Sequence, residues 1–391
     1  MKYFPRVLSS ITDESLFCLK TRNGFPQLKY GQSVVKFYKQ PPDVCLWFNN
    51  VCTQADVPFS LEEISEPEKL ESSFYIAANA KQVNYLVSET ARVNEAAYIQ
   101  SKMAETAIKN YSRGCCFGRD TLAFIEPLET SIMGILNITP DSFSDGGEYF
   151  DDEKAIGRAA SIAQEGADIL DVGGQSSRPG AESVSPDEEM RRVIPVISRT
   201  ADKVNIPISI DTCRSKVARE ALEAGASMIN DISAFTIDEK MVELAVEKSC
   251  SVVLMHMQGD PLTMQKSPFY KSVCDEVYQY LYHRCEYVKN SGVDEENIII
   301  DPGIGFGKTT AHNLEILKEL DSFRSLGYPV LVGTSRKSFI GNILNLPVSD
   351  RLEGTLSAAV FCALRGASIV RVHDVKEARR ALMIVKEIMR A

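Results

Sequence analysis

Residues 133–147 read MGILNITPDSFSDGG. An apolar run there gives way to the Asn137 amide, the Asp141 and Asp145 carboxylates and the Ser142 and Ser144 hydroxyls, before two glycines end the loop. Polar side chains crowded at a strand tip need partners, and a ligand rich in polar atoms would supply them. Further apolar runs end in the same way, at Asp171-Val-Gly-Gly, Asp211-Thr212, Asn230-Asp231, Met255-His256, Asp301-Pro302-Gly303, Thr334-Ser335-Arg336-Lys337 and Arg371-Val372-His373. A single Asp or Asn in such a place often caps the helix that follows. Eight tips brought to one rim describe a binding site.

The residue types divide into two chemistries. Asp211, Asn230 and Asp301 sit within or at the ends of apolar runs and point into a common mouth. A carboxylate accepts two parallel hydrogen bonds from an N–H/NH2 edge, and an Asn amide offers one donor and one acceptor to the adjoining edge. That set suits an aminopyrimidinone ring. The cations fall elsewhere: Arg336, Lys337, Arg371 and His373 follow the last two strands, where barrels commonly hold phosphate. Arg371 and His373 stand two residues apart on one strand face, which favours anion binding, and Asn137 with Asp145 can help hold a hard cation bridging phosphate oxygens. The run Asp301-Pro-Gly-Ile-Gly-Phe-Gly-Lys308 allows close backbone approach but lacks P-loop spacing. Replacing Arg371 is therefore expected to cut turnover while sparing binding of the ring.

The elements that carry these tips alternate from about residue 131: short β-branched runs, then stretches of helical periodicity. The strands are predicted at 132–137, 169–173, 206–211, 228–231, 251–255, 298–301, 330–333 and 369–372, with helical segments such as 153–166 and 216–225 ending at Gly. Eight such pairs predict a (β/α)8 TIM barrel over residues 121–391. A doubly wound sheet would carry Gly-x-Gly-x-x-Gly after its first strand, and that is missing. Residues 1–120 lack the rhythm. Strand-like runs at 16–20, 33–38, 45–48 and 73–77, a helix over 82–111 and a seam at 112–120 predict a smaller α+β domain without a chemical motif, serving packing, dimerisation or regulation.

Composition excludes several classes. The 391 residues are 44% hydrophobic and 25% charged, ordinary for a soluble globular chain. A net charge of −10 argues against general nucleic-acid binding. No apolar run reaches membrane-spanning length. Ten cysteines without Cys-x-x-Cys spacing and four histidines without a His-Glu-x-x-His motif point to free thiols in the cytoplasm and away from zinc.

The segments MGILNITPDSFSDGG, DVGGQSSRPGAE, ISIDT, IND, VLMHMQG, DPGIGFGK, GTSRKSF and RVHDV, in this order, resemble dihydropteroate synthases of folate biosynthesis. The resemblance runs from about Thr121 to the C-terminus. It implies a transferase, of the kind sulfonamides target, that joins 6-hydroxymethyl-7,8-dihydropterin diphosphate to p-aminobenzoate. By the same resemblance Asp211, Asn230, Asp301 and Lys337 hold the pterin, with Met255 packed against it, while Asn137, Arg371 and His373 bind diphosphate and Asn137 contributes to Mg2+. Phe143, Arg178, Pro179, Phe306 and Ser338 shape the p-aminobenzoate site; Lys337, Arg371, His373 and Asp145 form the catalytic set; segments 139–148 and 175–185 close over it; and the protein is a homodimer. Two positions depart from the family pattern: Gln175 stands where Glu is usual, and Gly259-Asp260-Pro261-Leu262 lacks the common Thr and Arg. A methyltetrahydrofolate-dependent methyltransferase shares the barrel but has no use for the Arg371/His373 anion site. A non-catalytic pterin-binding regulator would not need the loop residues Phe143, Asp145 and Arg178.

Overall fold

A computed structural model describes residues 5–10, 33–40, 42–54, 57, 59–61, 72–78, 80–91, 95–112, 129–138, 148–175, 184–260 and 263–391. The chain divides into two compact units, one of residues 1–114 with 321–327 and one of 115–320 with 328–391.

The first unit has an antiparallel sheet of β1 (Arg6–Ser10), β2 (Ser33–Gln40), β3 (Phe59–Leu61) and β4 (Ser72–Ala78) in the order β1-β2-β4-β3, with helices α1 (Pro42–Gln54), α2 (Ala80–Thr90) and α3 (Glu95–Ser112). Two expectations need correction. Residues 45–48 form no strand; they lie inside α1, where Val44, Cys45, Phe48, Val51 and Cys52 are buried at helical spacing. Pro42 opens that helix, a position its fixed φ suits. The segment 82–111 is two helices, α2 and α3, not one. The strand predicted at 16–20 lies outside the described residues. The later segment 321–327 belongs to this unit through defined bonds: Arg6 donates to Ser322 Oγ (3.1 Å), the Val7 amide to Ser325 Oγ (3.3 Å) and Asn110 Nδ2 to the Ser325 carbonyl (3.3 Å).

The second unit is the predicted (β/α)8 barrel. Its strands are β5 (Ser131–Asn137), β6 (Ile169–Gly173), β7 (Ile208–Asp211), β8 (Met228–Asp231), β9 (Ser251–Met255), β10 (Ile298–Asp301), β11 (Leu331–Val332) and β12 (Ile369–Val372), all parallel. They run in the order β10-β9-β8-β7-β6-β5-β12-β11, and a parallel bridge between Ile300 and Val330 closes the ring. Helices such as α4 (Glu148–Gln164), α5 (Pro186–Ala201), α6 (Ser215–Glu223) and α7 (Lys240–Lys248) return the chain between strands. After β9 come α8 (Val273–Asn290), α9 (Thr310–Lys318), α10 (Ser338–Leu344), α11 (Leu352–Leu364) and α12 (Val375–Arg390).

Side-chain parity turns this barrel into a site. Met133, Ile169, Met228, Val253, Ile299, Leu331 and Ile369 form one buried apolar cluster inside the ring. Because side chains alternate along a strand, the next inward layer toward the C-terminal rim holds Ile135, Asp171, Asn230, Met255, Asp301, Gly333 and Arg371. The apolar layer supports a polar one.

Candidate active site

The rim row follows from strand register: Asn137, Gly173, Asp211 and Asn230 are consecutive partners across β5, β6, β7 and β8. Gly173 lies between the two side chains, and a Cβ there would sit in ordinary contact with the Asn137 Oδ1 and Asp211 Cβ, each at 3.6 Å. Beneath the row lies a network that sequence reasoning did not assign. Arg371 Nε donates to Asp171 Oδ2 (2.6 Å), Arg371 Nη2 to Asp211 Oδ2 (2.8 Å), and Asn230 Nδ2 to the same Asp171 oxygen (3.2 Å). Asp171 was visible only as one polar tip among eight. Its inward parity, two residues beyond Ile169, was the available signal.

The electrostatics are those of excess buried acid. Asp171 is fully buried, and its Oδ1 has no hydrogen-bond partner among the described residues. Burial pushes the Asp211 carboxyl up, opposed by the Arg371 charge and reinforced by Asp171. Burial likewise raises Asp301 to about 6, against the Gly303 amide and the Lys337, Lys308 and Arg371 cations. Burial works against the Arg371 charge too, but Asp171 and Asp211 hold its pKa above the ordinary value. The floor therefore has more acceptors than its cations satisfy.

Above it opens a cavity of about 350 Å³, lined by Asn137, Phe306, Ser335, Lys337, Ser338, Arg371 and His373 among others. Lys337 Nζ sits 4.1 Å from the Phe306 ring centroid, within cation–π range. His373 Nδ1 lies 2.9 Å from Ser335 Oγ, which ties the tips of β11 and β12 together. Phe306 packs in a cluster with Met255 and Met264. Arg351, also on the cavity wall, donates to the carbonyls of Arg336, Lys337 and Leu346 and so fixes the loop bearing Lys337. Arg336 holds a left-handed φ of 56° in that loop.

Three tips behave otherwise than expected. Arg336 lines the cavity but is ion-paired to Asp374, at 2.5 Å and 3.1 Å. Asp231 has outward parity and accepts from the Ser233 amide and hydroxyl and the Phe235 amide, a turn-capping role. His256 is buried against Lys308 at 2.9 Å, and burial pushes its pKa well down. Phe143, Asp145, Arg178 and Pro179 lie outside the described residues.

Comparison with known proteins agrees with this geometry. The family described as pterin binding enzyme matches residues 133–373. A dihydropteroate synthase of Bacillus subtilis is 48% identical over 257 residues, 66% of this chain and 88% of the relative, and that of Escherichia coli is 45% identical over 260 residues, 66% and 92%. Among solved structures, Xanthomonas albilineans dihydropteroate synthase with 4-aminobenzoic acid superposes with a TM-score of 0.64 at 41% identity, covering 68% of this chain and 95% of that one. The same enzyme in complex with 7,8-dihydropteroate gives 0.63 at 39% identity, covering 68% and 97%. The chain belongs to the pterin-binding enzyme family, in its dihydropteroate synthase branch.

Proposed function

We propose that the barrel condenses 6-hydroxymethyl-7,8-dihydropterin diphosphate with p-aminobenzoate, giving 7,8-dihydropteroate and diphosphate. One observation carries the reading: a cavity with a cationic wall (Lys337, Arg371, His373) and an aromatic side (Phe306) meets an acceptor-rich floor through Arg371, whose guanidinium is bonded to the buried Asp171 and Asp211. Few ligands need all three. The ring's N–H and NH2 edge donates to Asp211 and Asp301, Asn230 meets the neighbouring edge, and Met255 packs against the ring face. Entry of the ring replaces the Arg371–Asp211 bond, which turns the guanidinium toward the diphosphate beside His373 and Asn137.

The reaction then needs little from the protein beyond position and charge. The arylamine nitrogen gives its electron pair to the exocyclic methylene carbon as the C–O bond breaks; diphosphate leaves with that bond's electrons, and the amine proton passes to solvent. Arg371, His373 and Lys337 stabilise the departing charge. Phe306 and Ser338 hold the weak nucleophile near the carbon, a role the family resemblance extends to Phe143, Arg178 and Pro179, with Asp145 in the catalytic set. Mg2+ would be held by the Asn137 amide oxygen on the cavity wall together with substrate phosphates, and when bound it would neutralise diphosphate charge. Among the described residues no three His, Cys, Asp or Glu side chains form a metal cage.

The wider reading is a cytoplasmic homodimer. Cys45, Cys52, Cys250, Cys274, Cys285 and Cys362 are buried and in no disulfide, as suits a reducing compartment, and no described helix is long and apolar enough to cross a membrane. Phe361 and Leu364 on α11 and Met383, Ile384 and Ile388 on α12 are exposed, which supports a partner surface there. The ring site is tested by calorimetry with 6-hydroxymethylpterin: Asp301→Asn should weaken binding about tenfold or more, the size of a lost charge-assisted hydrogen bond. Unchanged affinity would count against it.

A further inference from the structure

Lys308 ends the glycine-rich run after β10, and the proposed chemistry does not use it. It is 2% exposed. A buried ammonium is costly unless each of its three donors finds an acceptor. Here they do: Nζ lies 2.9 Å from His256 Nδ1, 3.0 Å from the Phe306 carbonyl and 3.4 Å from the His256 carbonyl. The acceptors come from two loops, one after β9 and one after β10. Burial pushes the Lys308 pKa down to about 7, with the Asp301 charge pulling it back up.

The two loops meet with almost no room between them. A Cβ on Gly303, at φ 69°, would stand 1.9 Å from the His256 carbonyl oxygen, and one on Gly307, at φ 63°, would stand 2.5 Å from that of Gln258. Tyr270 OH donates to the Gly307 carbonyl (2.8 Å) and Gln265 Nε2 to the Gly305 carbonyl (2.5 Å), so the glycine loop is tied from the β9 side along its length. Lys308 adds a charged tie between the two loops, and its bond to the Phe306 carbonyl holds the residue whose ring lies under the Lys337 ammonium.

We infer that Lys308 is a positioning residue for the arylamine half of the reaction: it locks the loop after β10 to the tip of β9 and thereby sets the Phe306 ring. The inference rests on the reading that Phe306 borders the p-aminobenzoate site. Asp211 and Asn230 stand on β7 and β8, away from this lock, and Asp301 and Met255 are held by their own strand pairing, so the loss falls chiefly on the arylamine side. Lys308 touches no substrate.

The test is steady-state kinetics of the full chain with both substrates varied, on Lys308→Met, Lys308→Arg, His256→Phe and Phe306→Ala. Lys308→Met should raise KM for p-aminobenzoate about tenfold, a change of about 1.4 kcal/mol, while KM for the pterin diphosphate stays within about threefold. Lys308→Arg should recover part of the loss, and His256→Phe, which removes only the Nδ1 acceptor, should shift the same KM in the same direction. A folded Lys308→Met with both KM values unchanged, or with both raised equally, overturns the inference. If Lys308→Met does not fold, His256→Phe decides: a selective rise supports the lock and its absence refutes it. Phe306→Ala separates the two readings, because an unchanged arylamine KM in that variant sinks the placement of Phe306, whereas a raised one with Lys308 variants silent sinks the lock alone.

Discussion

Asp301 joins the physics of burial to recognition. Its pKa is raised to about 6 because desolvation outweighs the nearby cations, yet the ring's donors need a carboxylate. As pH falls through about 6, Asp301 takes up a proton and loses acceptor capacity, so kcat/KM for the pterin substrate should fall about tenfold per pH unit below that point. In Asp301→Asn that acid limb should become shallower, leaving the part due to Asp211, whose carboxyl burial also pushes up. Linkage fixes the companion sign. A carboxyl whose folded pKa exceeds its unfolded value of 3.8 binds more protons when folded, so its contribution to stability declines as pH rises from about 4 to 6. At pH 7 the cost is about 3 kcal/mol, and Asp301→Asn should be more stable than the parent in denaturant melts at pH 7 while binding pterin less well. Arg371 behaves differently from its sequence reading. Because it bonds Asp171 and Asp211, Arg371→Ala leaves two buried carboxylates without their cation; turnover should fall about 100-fold or more, and calorimetry should show weaker ring binding as well. Asn137, Asp211, Asn230, Asp301, Lys337, Arg371 and His373 were legible because polar residues interrupt apolar runs. The Asp171 bridge and the Lys308–His256 pair were not, since each is defined by atoms from strands distant in sequence.

At the scale of elements, the legible quantity was parity. β6, β8, β9, β10 and β12 begin and end where β-branched runs meet polar tips, and alternation then fixes which side chains face inward. It separates Asn230, which faces inward, from Asp231, which caps a turn. The error at 45–48 has a physical cause: a four-residue apolar run carries no period of its own, and the helix shows only when Val51 and Cys52 extend the pattern. Loops were read least well, because their geometry rests on backbone conformations imposed by tertiary contacts. Gly303 makes this testable. With a positive φ and the His256 carbonyl 1.9 Å from any Cβ, Gly303→Ala should cost more than about 3 kcal/mol in denaturant unfolding. Arg351→Ala, which strips hydrogen bonds from the Arg336 and Lys337 carbonyls in the loop after β11 and from the Leu346 carbonyl beyond α10, should both destabilise the fold by about 2 kcal/mol or more and raise KM for the pterin substrate. Arg351→Ala with native KM values would show that the Lys337 loop holds its shape unaided.

At the scale of the whole molecule, the barrel was written in the sequence as a repeat of strand and helix, whereas the N-terminal unit offered no repeat and no motif. Its use of residues 321–327 was illegible for the same reason: nothing in a short 3-10 segment names a partner 300 residues earlier. Deleting residues 1–114 removes Arg6 and Asn110 from the buried Ser322 and Ser325, so the truncated chain should melt several degrees lower by calorimetry, at about 2–4 °C per kcal/mol for a domain of this class, while still forming product. The exposed face of α11 and α12 predicts a dimer of twice the 43.3 kDa chain by light scattering, converted to monomer by Ile384→Asp with Ile388→Asp. The central claim is the condensation itself. Incubating the full chain with 6-hydroxymethyl-7,8-dihydropterin diphosphate, p-aminobenzoate and Mg2+ should yield 7,8-dihydropteroate and diphosphate in equal amounts, only when both organic substrates are present and at a strongly reduced rate in Arg371→Ala. Absence of both products from folded, pterin-binding protein would contradict the account.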